Sequence, residues 1–262
     1  MGRFDKYILI SDLDGTLLKG ENYISPKDIE AIKYFQKEGG KFSVATGRSL
    51  NRVKFLKEKI DVDLPVILLN GAEIVDINTD KILWGKYMHE SVLEVIKDFN
   101  FKNPECGIIA FSKDKDYFIN PEIFFEILGD LNDFRYVNAT TEDIKLPVNK
   151  VVFYSHSDIL EYLISEYKDY LDKLTFTKSD INFYEIIDKT VNKGNALEIL
   201  KEMMNFNGYN LIAVGDNLND LEMILKADLG VAAGHNCAVL YDVADKIIDK
   251  EDVIYNLMKE LA

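Results

Sequence analysis

The chain has 262 residues, 47% of them hydrophobic, and its 45 acidic against 31 basic side chains give a formal net charge of −14. That balance can fill a core in one large or two modest domains, and it excludes a disordered chain. The acidic excess argues against nucleic acid or an anionic membrane surface as a partner.

Residues 7–11 are a short β-rich run and read as a first strand. Ser25, Pro26 and Asp28 announce a helix, with Ser25 as N-cap, Pro26 at the first helical position and Asp28 closing a capping box. Ile29, Ile32 and Phe35 follow at helical spacing, and Gly39-Gly40 ends the helix. Residues 41–46 read as a second strand, 49–60 as a helix, and 66–69 as a third, wholly apolar strand. Continuous apolar strands suit a parallel sheet covered on both faces.

The pattern changes after Asn70-Gly71. Segments 73–76 and 81–84 flank an Asn78-Thr79-Asp80 turn and read as a hairpin. A helix over 91–99, strands over 107–112 and 117–120, and a helix opened by Pro121 come next. A strand over 150–155, a helix over 157–170 and strands over 174–178 and 183–187 complete a mixed block rich in aromatic residues. Regular alternation resumes at Lys193, with helices to about 206 and over 219–227 and 251–261, and strands over 211–214, 230–232 and 246–248. The fold class is therefore α/β. A Rossmann-like parallel-sheet core is built from residues 1–81 and 188–262, and an α+β domain is inserted at 82–187.

Cys106 and Cys237 are far apart and lack ligand-spaced partners, which argues against a disulfide scaffold or a zinc site. Residues 1–6 carry no signal-peptide core and no apolar run can span a bilayer, so the expected location is cytoplasmic.

Four short segments carry the chemistry. Asp12-Leu13-Asp14-Gly15-Thr16 follows the first strand, where open parallel sheets bind ligands. Two carboxylates so close together call for a cation, and oxygen-only ligands beside a phosphate favour Mg²⁺. A calcium loop fits poorly, because Thr16 and Tyr23 stand where further acids belong; a plain Asp-Gly turn is the simpler alternative. Ala45-Thr46-Gly47-Arg48 ends the second strand with a hydroxyl and a flexible N–H suited to an anion. Asn192-Lys193-Gly194-Asn195 opens a helix with a lysine that can stabilise an oxyanion or simply be solvated. Gly215-Asp216-Asn217-Leu218-Asn219-Asp220 again places acids at a strand end, or caps a helix.

Taken together in this order, with the inserted block between the second and third, the four segments resemble the haloacid dehalogenase superfamily of phosphotransferases. More narrowly, the chain is similar over essentially its whole length to the Cof-type, sugar-phosphatase-like hydrolases. Asn70-Gly71-Ala72 also fits that pattern. The resemblance implies that Asp12 is the nucleophile and forms an aspartyl-phosphate. Asp14 is then the general acid and base, with its backbone carbonyl on the metal. Asp12 and Asp216 give carboxylate ligands to Mg²⁺. Thr46, the Gly47 N–H, Asn70, Asn219 and Lys193 hold substrate, and Asp220 stands behind the metal and Lys193. One departure is His235, in a segment where the family usually carries asparagine.

The implied activity is a Mg²⁺-dependent phosphomonoesterase acting on a small phosphorylated metabolite, plausibly a sugar phosphate, with the inserted cap choosing the substrate. A phosphohexomutase with the same aspartyl-phosphate is the alternative, and a silent phosphosugar-binding protein a third. The chain is expected to be a monomer or small homo-oligomer.

Overall fold

The computed structural model describes residues 2–20, 22–235 and 237–261. The chain divides into two compact units, Met1–Trp84 with Asn192–Ala262, and Gly85–Val191.

The first unit opens with β1 (Tyr7–Ser11), α1 (Pro26–Lys37), β2 (Lys41–Val44), the short α2 (Leu56–Lys59), β3 (Val66–Leu68), β4 (Glu73–Asp76) and β5 (Lys81–Gly85). The second unit runs α3 (Val92–Lys102), β6 (Gly107–Ser112), β7 (Asp116–Ile119), α4 (Pro121–Leu128), β8 (Tyr136–Asn138), β9 (Val148–Tyr154), α5 (Leu160–Glu166), β10 (Leu174–Asp180) and β11 (Phe183–Asp188). The chain then returns to the first unit with α6 (Lys193–Met203), β12 (Asn210–Gly215), α7 (Leu221–Lys226), β13 (Leu229–Ala233), α8 (Ala238–Tyr241), β14 (Lys246–Ile248) and α9 (Val253–Leu261).

In the first unit the sheet order is β14-β13-β12-β1-β2, every pairing parallel. A parallel bridge from Ala45 to Ile67 carries the sheet on to β3, which turns antiparallel into β4. The central strands are apolar throughout: Leu9, Ile10, Phe42, Val44, Ala213 and Val214 are fully buried. Strand order reverses between β1 and β12, so their carboxyl ends flank the crevice where such sheets bind ligands.

The second unit is a six-stranded sheet in the order β10-β11-β9-β6-β7-β8, antiparallel except for β7 with β8. Val95 and Phe99 of α3 and Leu163 of α5 pack on Ile108, Phe153 and Tyr184. The aromatic enrichment is mostly core: Phe118, Phe124 and Phe153 are fully buried, although Phe125 is 42% exposed. Trp84 packs on the core cluster that holds Ile8 and Ala213, and the first unit accordingly runs on to Trp84 in β5.

Several elements depart from the sequence reading. Segment 49–60 is not one helix but a 3₁₀ turn (Asn51–Val53) followed by α2. Its amides bond three residues back, Val53 to Leu50 and Glu58 to Phe55, so the turns are tighter than α-helical. The expected helix over 157–170 is confined to α5 plus a 3₁₀ turn (Lys168–Tyr170), and that over 219–227 starts as a 3₁₀ turn (Leu218–Asp220) before α7. Strand β8 and helix α8 are too short to leave a periodic signal. Ser25 caps α1, accepting from the Asp28 N–H at 3.1 Å, but Asp28 does not close a capping box. Its Oδ1 instead accepts from the N–H groups of Ile254 (2.9 Å) and Tyr255 (3.0 Å), and so caps α9 from the other end of the chain. Among the described residues, no helix is long and apolar enough to cross a membrane.

Candidate active site

The four segments meet at the carboxyl ends of β1, β2 and β12, all within the first unit. Asp12 is the residue after β1, and its N–H donates to Val214 O at 2.8 Å, continuing the parallel ladder by one rung. Asp216 is the residue after β12. Lys193 is the first residue of α6, with Asn192 as N-cap accepting from the Asn195 N–H at 2.7 Å. The two strands and this helix start thereby fix three charged groups relative to one another.

The Lys193 ammonium is fully buried and donates to Asp12 Oδ1 at 2.5 Å and to Asp220 Oδ1 at 2.6 Å. The second oxygen of Asp220 accepts from the N–H groups of Asp216 (3.0 Å) and Asn217 (3.2 Å). Asp220 therefore braces both the lysine and the β12 turn. The Thr16 hydroxyl donates to Asp216 Oδ1 at 3.0 Å, tying the two acidic segments together across 200 residues. Gly15 (φ +84) makes that approach possible, since a β-carbon there would stand 2.4 Å from Asp216 Oδ2.

Charge sets the protonation states. Burial pushes the Asp12 carboxyl up to about 8, with Asp220 and Asp216 pushing the same way and Lys193 pulling down. Burial alone would lower the Lys193 ammonium, but the charges of Asp12 and Asp220 hold it raised. Carboxylate oxygens of Asp12, Asp216 and Asp220 lie within 4.8 Å of one another. With all three ionised, the state that a bound cation favours, three carboxylates against one ammonium leave a formal excess of two negative charges. An all-oxygen donor set with that excess fits a hard divalent cation.

Thr46 is fully buried at the end of the second strand; its N–H donates to Ile67 O at 2.9 Å, and its hydroxyl accepts from the Arg48 N–H at 3.2 Å. Gly47 stands against the Asn70 side chain, whose Oδ1 would be 3.0 Å from a β-carbon added there. Asn70 Oδ1 also accepts from Asn219 Nδ2 at 3.1 Å, so Gly47, Asn70 and Asn219 form one polar rim. Leu69, Asn70 and Gly71 take φ values of +52, +59 and +103 in succession. A buried leucine in the left-handed region is strained, and such strain concentrates at functional loops. At Gly71 only glycine fits, because a β-carbon would meet Asn192 O at 2.3 Å. This packing seats the Asn70 loop on the start of the Lys193 helix.

Asp14 lies apart from this cluster. Its carboxylate faces Arg48, whose Nη2 donates to Oδ1 at 2.6 Å and Nε to Oδ2 at 2.9 Å. The acidic group drawn together by distance is thus Asp12, Asp216 and Asp220, without the Asp14 side chain. His235 is exposed, with its ring 5.3 Å from that of Tyr241, and Asn236 beside it lies outside the described residues. Sequence reasoning assigned no role to Arg48 or to the Thr16 hydroxyl. Both sit inside the motifs, so position was a signal; their partners, 34 and 200 residues away, were not.

A family profile for haloacid dehalogenase-like hydrolases matches residues 9–257. Two 5-amino-6-(5-phospho-D-ribitylamino)uracil phosphatases of Bacillus subtilis are similar. One is 26% identical over 267 residues, covering 97% of each chain; the other is 27% identical over 249 residues, covering 94% of this chain and 90% of its own. A haloacid dehalogenase-like hydrolase from Bacteroides thetaiotaomicron has the same fold, with a TM-score of 0.81 at 24% identity over 98% of this chain and 100% of that one. The chain belongs to the haloacid dehalogenase-like hydrolases and is a phosphatase.

Proposed function

We propose that this phosphatase is a Mg²⁺-dependent phosphomonoesterase acting on small phosphorylated metabolites, sugar phosphates foremost, through an aspartyl-phosphate on Asp12. The observation that carries the reading is the buried Lys193 ammonium, shared by Asp12 and Asp220 with Asp216 alongside. Asp12 attacks phosphorus, the bond to the ester oxygen breaks, and Asp14 gives that oxygen its proton. Water then attacks the phosphorus of the aspartyl-phosphate, Asp14 takes a proton from it, and inorganic phosphate leaves with the Asp12 carboxylate restored. Thr46, the Gly47 N–H, Asn70, Asn219 and Lys193 hold phosphoryl oxygens in position, which is most of what phosphoryl transfer requires. The Asp12 and Asp216 carboxylates and the Asp14 carbonyl would hold Mg²⁺, with Asp220 orienting Lys193. When bound, the metal supplies positive charge against the phosphoryl oxygens and favours ionised Asp12.

The unit Gly85–Val191 is the proposed source of substrate choice. A sugar-type leaving group is supported by the Bacillus relatives, whose names carry a phospho-ribitylamino compound. The test is phosphate release from hexose, triose, nucleotide and pyridoxal phosphates, with Mg²⁺ and with EDTA. Release that requires Mg²⁺ is the expected result. No release from any ester, together with isomerisation of a hexose phosphate once a bisphosphate activator is added, would replace the hydrolase by a mutase.

A further inference from the structure

Arg48 is built as an anion receptor. Its guanidinium is buried, 9% exposed, and lies over the Phe55 ring at 5.8 Å. One nitrogen, Nη1, is pinned by the chain itself, donating to Asn22 Oδ1 at 2.7 Å and to Arg52 O at 3.3 Å. The backbone is pinned as well, through its N–H to the Thr46 hydroxyl and its carbonyl from the Leu69 N–H at 3.1 Å. What remains is the Nε/Nη2 edge, a planar fork that matches a carboxylate. Asp14 fills it, yet the Asp14 side chain is 57% exposed and, among the described residues, is hydrogen-bonded to Arg48 alone.

In the reaction proposed above, Asp14 must turn from this fork to reach the leaving oxygen. The turn strips a buried guanidinium of its counter-charge, and an unpaired buried charge is costly. A substrate that brings its own carboxylate would restore the pair, so the exchange would cost little. We propose that Arg48 is a specificity-determining residue that receives a carboxylate of the substrate, and that the preferred esters among the sugar phosphates are those of sugar acids, which carry that carboxylate. Since one aspartate side chain must serve both the fork and the leaving oxygen, that carboxylate lies within a few bonds of the ester. The inference rests on the acid role proposed for Asp14, and it names the substrate class of the same site.

The test compares 3-phosphoglycerate with glycerol 1-phosphate, which carries a hydroxymethyl group in place of the carboxylate. Binding is measured by calorimetry on the Asp12→Asn protein with Mg²⁺, so that turnover does not intervene, and again after adding Arg48→Met or Arg48→Lys. The glycerate should bind about 10- to 100-fold tighter with Arg48, the range of a charge-assisted hydrogen-bonded pair. Arg48→Met should bring the ratio to about one, and Arg48→Lys should leave it in between. Thermal melting checks that the variants are folded; Asp14 is exposed enough to lose its partner without harm. Equal affinities with Arg48 present, or an equal fall for both esters in Arg48→Met, would overturn the proposal and leave Arg48 as a positioning residue for Asp14. Phosphate release by the unsubstituted chain is followed in parallel. A glycerate preference without release of phosphate would retain the anion receptor and remove the hydrolase reading. Release without preference would do the reverse.

Discussion

The ammonium of Lys193 lies 2.5 Å from Oδ1 of Asp12, a residue 181 positions earlier in the chain. Lys193 is fully buried and Asp12 nearly so, so each is a principal source of compensating charge for the other. Substituting Lys193→Met leaves Asp12 and Asp220 buried without it. Breaking a buried pair costs about 3–5 kcal/mol. At about 2–4 °C per kcal/mol for a domain of this size, the melting temperature should fall by roughly 6–20 °C. Thermal denaturation in EDTA measures this, and an unchanged midpoint would mean the lysine does not stabilise the pair. Saturating Mg²⁺ should recover part of the loss.

Asp12→Asn should abolish phosphate release, by at least about 10³-fold if the carboxylate is the nucleophile. Its effect on stability runs the other way. In the metal-free protein the Asp12 carboxyl titrates near 8 when folded, against 3.8 in its ordinary state. Between those values the folded chain holds a proton that the unfolded chain has released. Stability from this group is therefore fully present below pH 3.8 and is lost as pH rises through about 8. Urea unfolding in EDTA at pH 5 and pH 8 should show the decline in the parent and a flatter profile in Asp12→Asn.

Mg²⁺ should stabilise the folded chain, by about 2.7 kcal/mol at one hundred times its dissociation constant. Asp216→Asn removes one of the three clustered carboxylates and should erase most of that gain. Melting curves with and without the metal decide the point; an equal gain in the variant would place the cation elsewhere.

Gly15→Ala tests the meeting of the two acidic segments. The added methyl would stand 2.4 Å from Asp216 Oδ2 in a backbone with φ of +84. Left-handed strain costs about 1–3 kcal/mol, and the contact must also push Asp216 aside. Both a lower melting point and at least a tenfold loss of phosphate release are expected, whereas Gly20→Ala, with nothing within 4 Å, should leave phosphate release intact.

Much of this protein was legible in its residues. The apolar run over 211–214 was legible as a parallel strand, because a strand covered on both faces leaves no polar alternation. Asp12, Thr46, Lys193 and Asp216 were legible because each sits at a strand end or helix start, where the local backbone signal and the ligand-binding end of a parallel sheet coincide. Local signals misled where helical periodicity was met by amides bonding mostly three residues back rather than four, as in segment 49–60.

Partnerships were decided only by the tertiary structure. Asp28 has the spacing of a capping box, yet its carboxylate serves the first turn of α9, because the sheet brings α1 and α9 side by side. Asp14 shares its motif with Asp12, yet faces Arg48 while Asp12 faces Lys193. Residue type and local spacing determine which groups can carry charge and where the backbone turns. Which charge meets which depends on contacts 27 to 226 residues apart, and those exist only once the strands have been ordered in the sheet.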